Sequence, residues 1–132
     1  MCGIVACLSK RKFGFSDLDR KIFDQLLFAD EIRGEDTTGI FNVHKYGNCY
    51  TAKSAQKAAV FQDTTEYNRM LEESFLDGLI MVGHNRAATK GSKTDTNAHP
   101  FVEGDICLVH NGTLYNHKEI ADKDVDSHAI AV

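Results

Sequence analysis

Short apolar runs in the first two-thirds of the chain have the character of β-strands. The run Cys2–Leu8 is apolar and rich in β-prone residues, which predicts a buried strand. Residues 37–44 and 48–52 have the same character and are joined at a Tyr-Gly-Asn sequence, so we expect them to pair as a hairpin. Residues 79–84 form a further apolar run and predict another strand. The pattern therefore indicates a sheet built from at least these segments.

Residues 15–32 have the spacing of an amphipathic helix instead. Ser16 is placed to cap the start of this helix, and Gly34 is placed to end it. Phe23 and Leu27 are expected beside its apolar face. That face is predicted to consist of Leu18, Ile22, Leu26 and Ala29.

The remaining segments alternate the same two patterns. Residues 56–61 and 66–75 are predicted to be helical, residues 85–97 irregular, residues 105–110 a strand, and a short helix follows from His117. The apolar face of the second of these helices is predicted to hold Tyr67, Met70, Leu71 and Phe75. Paired strands with helices around them predict a layered α+β fold, and we expect residues 1–132 to form one domain.

Composition and charge exclude several classes of protein. The 132 residues are 42% hydrophobic and 26% charged, which is ordinary for a globular domain. A formal net charge of -4 offers no basic face for nucleic acid. No apolar stretch approaches the roughly 20 residues that cross a bilayer, and the N-terminus lacks a signal peptide's long apolar core. We therefore expect no nucleic-acid or membrane partner and a cytoplasmic location.

The four cysteines do not form a recognisable metal or disulfide pattern. They include no CxxC pair and no regular spacing, which argues against a zinc site and against a disulfide framework. Cys7 and Cys107 lie in apolar runs and are predicted to be small, buried hydrophobic residues. We expect no bound metal and no cofactor.

Cys2 is distinguished by its position in the chain. When the second residue is small, the initiator methionine is commonly removed, which would leave Cys2 with a free α-amino group. The pKa of such an amine is about 7.7–8.0, so it can act as a general base near neutral pH. Nucleophile and base would then belong to one residue. The alternative is that Cys2 simply begins a buried strand, and a Met-Cys start alone is weak evidence.

Three further groups of polar residues carry candidate chemistry, each with a structural alternative. Arg86 and Thr89, in GHNRAAT, could bind a carboxylate, although an arginine at a strand end also suits a surface ion pair. Asn111 and Gly112, in LVHNGTLYN, predict a hairpin turn or, alternatively, two donors to an oxyanion. Asp126, in VDSHAI, could accept hydrogen bonds from an ammonium group or cap a helix.

Taken together, these segments resemble the class II glutamine amidotransferases, which are N-terminal nucleophile hydrolases. Such domains occur in glucosamine-6-phosphate synthase and amidophosphoribosyltransferase. The segments that carry the resemblance span nearly the whole chain in the family's order: MCGIVACL, IRGEDTTGI, GHNRAAT, NAHPF, LVHNGTLYN and VDSHAI. Six motifs in register outweigh the structural alternatives of each motif alone.

The resemblance implies a fold and a reaction. The fold would be a four-layer αββα sandwich of antiparallel sheets, incomplete here at its C-terminus. Cys2 would attack the side-chain amide of L-glutamine and form a γ-glutamyl thioester, and the products would be glutamate and ammonia. Asn111 and Gly112 would form the oxyanion hole. The ammonia would pass to a separate synthase domain or subunit, or the chain would act as a homo-oligomer.

The resemblance also implies roles for the other polar residues. Arg86, with Thr89, would bind the α-carboxylate of glutamine, and Asp126 would bind its α-ammonium group. Arg33 would position the nucleophile. These roles match the charges of a zwitterionic substrate.

Three positions depart from the family's pattern: Ala87 stands where tryptophan is common, Lys90 where histidine is frequent, and His128 where an acid is usual. Two other functions therefore stay open. One is a non-catalytic module that binds glutamine or another protein, and the other is a hydrolase of a different γ-glutamyl compound.

Overall fold

The computed structural model describes residues 1–11 and 13–132, and at residues 74 and 75 it describes the backbone alone. The strands of this part of the chain are β1 (Gly3–Leu8), β2 (Thr37–His44), β3 (Cys49–Ser54), β4 (Gly78–Arg86), β5 (Phe101–Glu103) and β6 (Ile106–Leu108). Its α-helices are α1 (Asp17–Ala29), α2 (Ala58–Phe61), α3 (Thr65–Asp77), α4 (His117–Ile120) and α5 (Asp126–Ala131). The mixture of helices with antiparallel strands confirms the predicted α+β class.

The larger sheet has four antiparallel strands in the order β1-β4-β2-β3, and the smaller sheet pairs β5 with β6. The predicted hairpin is confirmed, since β2 and β3 pair from Thr38 with Ser54 to Val43 with Cys49. Strand β1 lies beside β4 with Gly3 opposite Asn85. This register brings the residue before Gly3 to the C-terminal end of β4.

Helix α1 begins as predicted, because the Ser16 hydroxyl accepts from the Asp19 backbone N–H and the Asp19 side chain accepts from Ser16 in return. The helix ends at Ala29 and continues as a 3-10 helix, Asp30–Arg33, up to Gly34. A single helix over residues 15–32 is therefore replaced by two consecutive elements.

The predicted apolar face of α1 is wrong. Leu18, Ile22 and Leu26 are 64%, 48% and 50% exposed, whereas Phe23 and Leu27 are buried against the large sheet. Gly83 on β4 explains the choice of face. A Cβ there would lie 2.7 Å from Leu27 Cδ1 and 3.1 Å from Phe23 Cζ, so the missing side chain is the space that these two residues fill.

Helix α3 packs on the same face of the sheet as α1. Its residues Tyr67, Met70 and Leu71 are buried, as predicted, while the predicted contribution of Phe75 lies outside the described residues. The joint core consists of Phe15, Phe23, Leu27, Ile40, Ala52, Ala58, Phe61, Tyr67, Met70, Leu71 and Met81.

The second half of the chain differs most from the prediction. The sheet continues through Asn85 and Arg86, which were expected to be irregular, and β5 was not predicted. On the face of the large sheet away from the helices, the His99 carbonyl oxygen lies so close to Gly39 that a Cβ there would be 1.9 Å from it. None of the helices in the described ranges has the length and apolar character that crossing a membrane requires.

Candidate active site

Cys2 lies immediately before β1 and is 9% exposed. Its thiol is directed at the carbonyl oxygen of Ala87, with 3.7 Å between Sγ and that oxygen. On the backbone side, Arg33 Nε donates to the carbonyl oxygen of Cys2 at 3.1 Å. The nucleophile predicted from the sequence is therefore held from both sides, and Arg33 contacts it through the main chain.

Gly34 allows the segment that carries Arg33 to reach the end of β4. A Cβ on Gly34 would lie 2.4 Å from the carbonyl carbon of Arg86 and 2.5 Å from the amide nitrogen of Ala87. Asp36 then continues the contact, because its N–H donates to the Arg86 carbonyl oxygen at 3.0 Å. Glycine is needed here because two backbones touch, and a larger residue would push the Gly34 segment away from the end of β4.

Arg86 is 3% exposed and organises the loop that follows β4. Its guanidinium donates to the carbonyl oxygens of Ser92, at 3.1 Å, and of Lys90. Burial lowers the pKa of Arg86, and the neighbouring Cys2, Asp36 and Asp126 act in the opposite direction. The guanidinium therefore lies in the electrostatic neighbourhood of both the candidate nucleophile and the candidate ammonium ligand.

Asp36 holds the first half of the same loop. Its carboxylate accepts from the Ala88 N–H at 2.8 Å and from Lys93 Nζ at 2.6 Å. Burial acts to raise the pKa of Asp36, but the hydrogen bonds from Lys93 and Ala88 outweigh it and hold that pKa below its usual value. The loop after β4 is thus tied down at both ends.

The segment that carries Asn111 and Gly112 follows β6. It is not the hairpin turn that Asn-Gly predicts, because the described residues after Gly112 form no strand that could pair with β6. Gly112 is required by space: a Cβ there would lie 2.5 Å from Nε2 of the His110 ring. Both donors proposed for the oxyanion are exposed.

The first two residues of α5 hold this segment at both of its ends. Asp126 Oδ2 accepts from the Leu114 N–H at 2.7 Å, and Ser127 Oγ lies 3.0 Å from His110 Nδ1. Asp126 Oδ1 also accepts from the Ser127 N–H at 3.0 Å. The carboxylate predicted to bind an ammonium group therefore holds the turn segment. The alternative prediction, a helix cap, is wrong for Asp126, because the N-cap of α5 is Val125 and no side chain caps it.

A buried pair of histidines joins the end of β4 to the Asn111 segment. His84 Nε2 lies 3.1 Å from the carbonyl oxygen of His110, and the rings of His84 and His99 are 3.9 Å apart. A carbonyl only accepts, so Nε2 carries the proton, and within the described chain Nδ1 is buried without a partner. Burial lowers the pKa of His84 to about 4 and that of His99 to about 2.

These elements meet around one cavity of about 410 Å³. The residues that line it are Met1, Cys2, Ala87, Thr89, Asn111, Gly112 and Thr113. Four of the predicted site residues are thus brought together: Cys2, Thr89, Asn111 and Gly112. Arg33, Arg86 and Asp126 lie behind the lining, where each contacts the backbone of a residue or segment that forms it.

The sequence did not indicate several contacts that support the site. The Ala87 carbonyl oxygen receives the thiol, and Lys90 Nζ lies 5.5 Å from the centroid of the Tyr115 ring, which links the two loops. The His84–His110–Ser127 connection was also missed. Its only signal is a histidine in each of the GHN and HNG segments, and a single sequence does not show that these two meet.

Comparison with known proteins places these segments in a family context. A family model described as glutamine amidotransferases class-II matches residues 36–128. Proteins named glutamine–fructose-6-phosphate aminotransferase (isomerizing) from Sulfolobus acidocaldarius and Zymomonas mobilis are each 34% identical over 93% of this chain. The corresponding protein of Sulfurisphaera tokodaii is 33% identical over the same share. The chain spans about a fifth of the length of these relatives, with 20%, 18% and 20% covered respectively.

Proposed function

The chain belongs to the class II glutamine amidotransferases, and we propose that it is a catalytic glutaminase module that hydrolyses L-glutamine to glutamate and ammonia. The observation that carries this proposal is the shared cavity. Cys2 lines the same cavity as Asn111 and Gly112, which would supply the two donors that an oxyanion needs.

Removal of Met1 is the first requirement of this proposal. Met1 is 77% exposed and lines the cavity, so a peptidase can reach it. Its removal would free the α-amino group of Cys2 next to the thiol and would enlarge the space available to a substrate. The amine then takes the thiol proton as Sγ attacks the amide carbon.

The reaction then proceeds in two halves. In the first, the tetrahedral oxyanion accepts hydrogen bonds from the Asn111 amide and the Gly112 N–H, and ammonia leaves with the proton held by the amine. This step leaves a γ-glutamyl thioester on Cys2. In the second half, water attacks the thioester carbon, the amine again moves the proton, and glutamate leaves as the thiol re-forms.

Substrate binding in this proposal uses one cation and one anion. A guanidinium has five N–H donors, and the bonds of Arg86 within the described residues reach Ser92 and Lys90. With the exposed Thr89, Arg86 would bind the α-carboxylate. Asp126 would bind the α-ammonium group. Arg33 would act as a positioning residue through the Cys2 carbonyl oxygen.

We also propose a domain context for this activity. Residues 1–132 would form a glutamine amidotransferase type-2 domain, and the ammonia would pass to a synthase domain or subunit. The four-layer sandwich remains our proposal for the fold. It is supported by Ile4 and Leu8, exposed apolar residues of β1 that alternate with the core-facing Val5 and Cys7.

The test combines intact mass with turnover. Purified protein is weighed to establish whether Met1 is absent, exposed to 6-diazo-5-oxo-L-norleucine, and weighed again. We expect one adduct, mapped to Cys2 and blocked by excess glutamine, together with release of glutamate from glutamine. Cys2→Ala should lose the adduct and reduce hydrolysis by about a thousandfold or more, while Cys7→Ser serves as the matched thiol control.

Two results would contradict the proposal. The first is a folded protein without Met1 that neither forms the adduct nor hydrolyses glutamine, which would favour the non-catalytic glutamine-binding or protein-interaction module. The second is full hydrolysis by Cys2→Ala, which would move the nucleophile elsewhere. A panel of γ-glutamyl compounds in the same assay distinguishes glutamine from other substrates.

A further inference from the structure

A second cavity lies between the ends of the two hairpins, away from Cys2. Its volume is about 330 Å³, and it shares no lining residue with the cavity beside Cys2. The lining residues are Gly47, Cys49, Val102, Gly104, Asp105, Ile106 and Cys107. One hairpin, β2–β3, belongs to the large sheet, and the other, β5–β6, belongs to the small sheet.

Two cysteines line this cavity, one from each hairpin. Cys49 is the first residue of β3 and is exposed, whereas Cys107 is the middle residue of β6 and is half-buried. The Cys49 side chain lies close enough to Cys107 to act on the pKa of its thiol, although the two residues are far apart in the sequence. Both are free thiols in this structure.

The surroundings give the two thiols different properties. Burial raises the pKa of the Cys107 thiol, and Cys49 raises it further, while Lys53 acts against this shift. The Lys53 ammonium is fixed nearby, because it donates to the carbonyl oxygens of Ala98 at 2.9 Å and Pro100 at 3.0 Å. Cys107 is therefore a protonated, sheltered thiol, and Cys49 is the one that a reagent in solution reaches first.

We propose that Cys49 and Cys107 form a reversible, peroxide-driven disulfide that fastens the small sheet to the large sheet. The proposal rests on the cavity that both cysteines line, at the meeting of the two hairpins, and on the proximity of the two side chains. It does not depend on glutamine hydrolysis.

The chemistry needs only a peroxide as the oxidant. The thiolate of Cys49 attacks one peroxide oxygen, the O–O bond breaks, and Cys49 becomes a sulfenic acid as the first water forms. The Cys107 sulfur then attacks the Cys49 sulfur, loses its proton and displaces the second water. Two thiols give up two electrons and two protons, and one hydrogen peroxide becomes two waters.

The crosslink would act on the segment that follows β6. This strand ends at Leu108, and His110, Asn111 and Gly112 come directly after it. Tying β6 to β3 therefore restrains the strand that leads into the candidate oxyanion segment. It also closes a long loop in the unfolded chain, which favours the folded state.

The test uses the full chain, fully reduced and then treated with hydrogen peroxide. Free thiols are alkylated, and the protein is digested with trypsin without reduction. We expect a linked pair of peptides, residues 46–53 joined to residues 94–118, which dithiothreitol separates. The midpoint of thermal unfolding should rise by about 5 °C or more on oxidation and return on reduction.

Serine variants supply the controls. Cys49→Ser and Cys107→Ser should each abolish both the linked pair and the rise in the midpoint, and Cys7→Ser should retain both. Reduced Cys49→Ser should unfold at the wild-type midpoint because Cys49 is exposed, which separates loss of the crosslink from loss of the fold. Peroxide-treated wild type with residues 46–53 and 94–118 unlinked, or linked only between two chains, would overturn the proposal.

Discussion

The cavity beside Cys2 has two walls of different construction. One, the sheet wall, consists of Cys2 and Ala87, with Arg33 and Arg86 behind them. The other, the turn wall, consists of Asn111 and Gly112. The sheet wall is held by strand pairing and by main-chain contacts to buried groups. The turn wall is exposed and is held at its ends by two side chains of α5.

This difference allows the contribution of a residue to folding stability to be separated from its contribution to the reaction. Residues of the sheet wall are also part of the fold, so their replacement changes the free energy of unfolding as well as the reaction. Residues of the turn wall are attached to the fold through Asp126 and Ser127, so their replacement should affect the reaction while leaving stability nearly unchanged. Each of the following changes tests one side of this comparison.

The largest effect is expected for Asn111→Ala, which removes a donor from the turn wall. If Asn111 stabilises the oxyanion, kcat for glutamine hydrolysis falls about 10²- to 10³-fold, or about 2.7–4 kcal/mol. The midpoint of thermal unfolding should stay within about 2 °C of wild type, because the side chain is exposed. Asn116→Ala, nearby but outside the cavity lining, is the control. An Asn111→Ala enzyme within threefold of wild type would remove Asn111 from the mechanism.

Gly34→Ala should damage the sheet wall. The new Cβ would lie 2.4 Å from a backbone carbon of Arg86, so the two segments must separate, at a cost of about 3 kcal/mol in the free energy of unfolding. Urea unfolding measures this loss, and diazoketone labelling of Cys2 should slow in parallel. Gly47→Asn is the control, because a Cβ at Gly47 meets nothing within 4 Å and asparagine tolerates its φ of +86°. Equal stability of Gly34→Ala and wild type would refute the close-contact argument.

Acidification should weaken the connection between the walls. The pKa values of His84 and His99 are lowered in the folded state, so the unfolded chain binds more protons. Their stabilising contribution is complete above pH 6.5. It is lost as the pH falls from there towards about 4 for His84 and about 2 for His99, at about 1.4 kcal/mol per pH unit for each.

His99→Phe removes one of these two titrating groups and leaves His84 in place. Urea unfolding at pH 7, 6 and 5 should show that the free energy of unfolding falls less steeply below pH 6.5 in this variant. The expected difference is about 1.4 kcal/mol per pH unit. Parallel slopes for the variant and wild type would mean that His99 does not remain neutral in the fold.

The smallest effect is expected for Ser127→Ala. This change removes the hydroxyl that meets His110 Nδ1, at a cost of about 1 kcal/mol in the free energy of unfolding. The turn wall should then be less firmly held, so kcat should fall by less than about tenfold while KM changes little. Both quantities come from steady-state kinetics and urea unfolding of the same preparation. A kcat loss as large as that of Asn111→Ala would assign Ser127 a more direct role.

Local patterns in the sequence predicted most of the elements that build the sheet wall. The strand after Cys2, the β2–β3 hairpin and the Ser16 cap depend on neighbouring residues, and a single sequence contains that information. The face of α1 could not be predicted in this way, because the space left by Gly83 on another element decides it.

For the turn wall, too, the sequence did not reveal contacts between elements that are distant in the chain. Family motifs predicted Asn111 and Gly112 as site residues, and these two share the cavity with Cys2. The link from His84 through His110 to Ser127 joins three segments that are distant in the sequence, and no local pattern reports it. Strand β5 was missed for a different reason, since three residues are too few to establish a periodicity.

Because two side chains of α5 hold the turn wall, the two walls of the cavity form at different times during protein synthesis. The ribosome makes Cys2 and the strands of the large sheet well before residues 126 and 127. Domains begin to fold as the chain emerges. A nascent chain can therefore seat its cysteine in the sheet while the opposite wall is still unfastened, and the site becomes complete only when Asp126 and Ser127 have been translated.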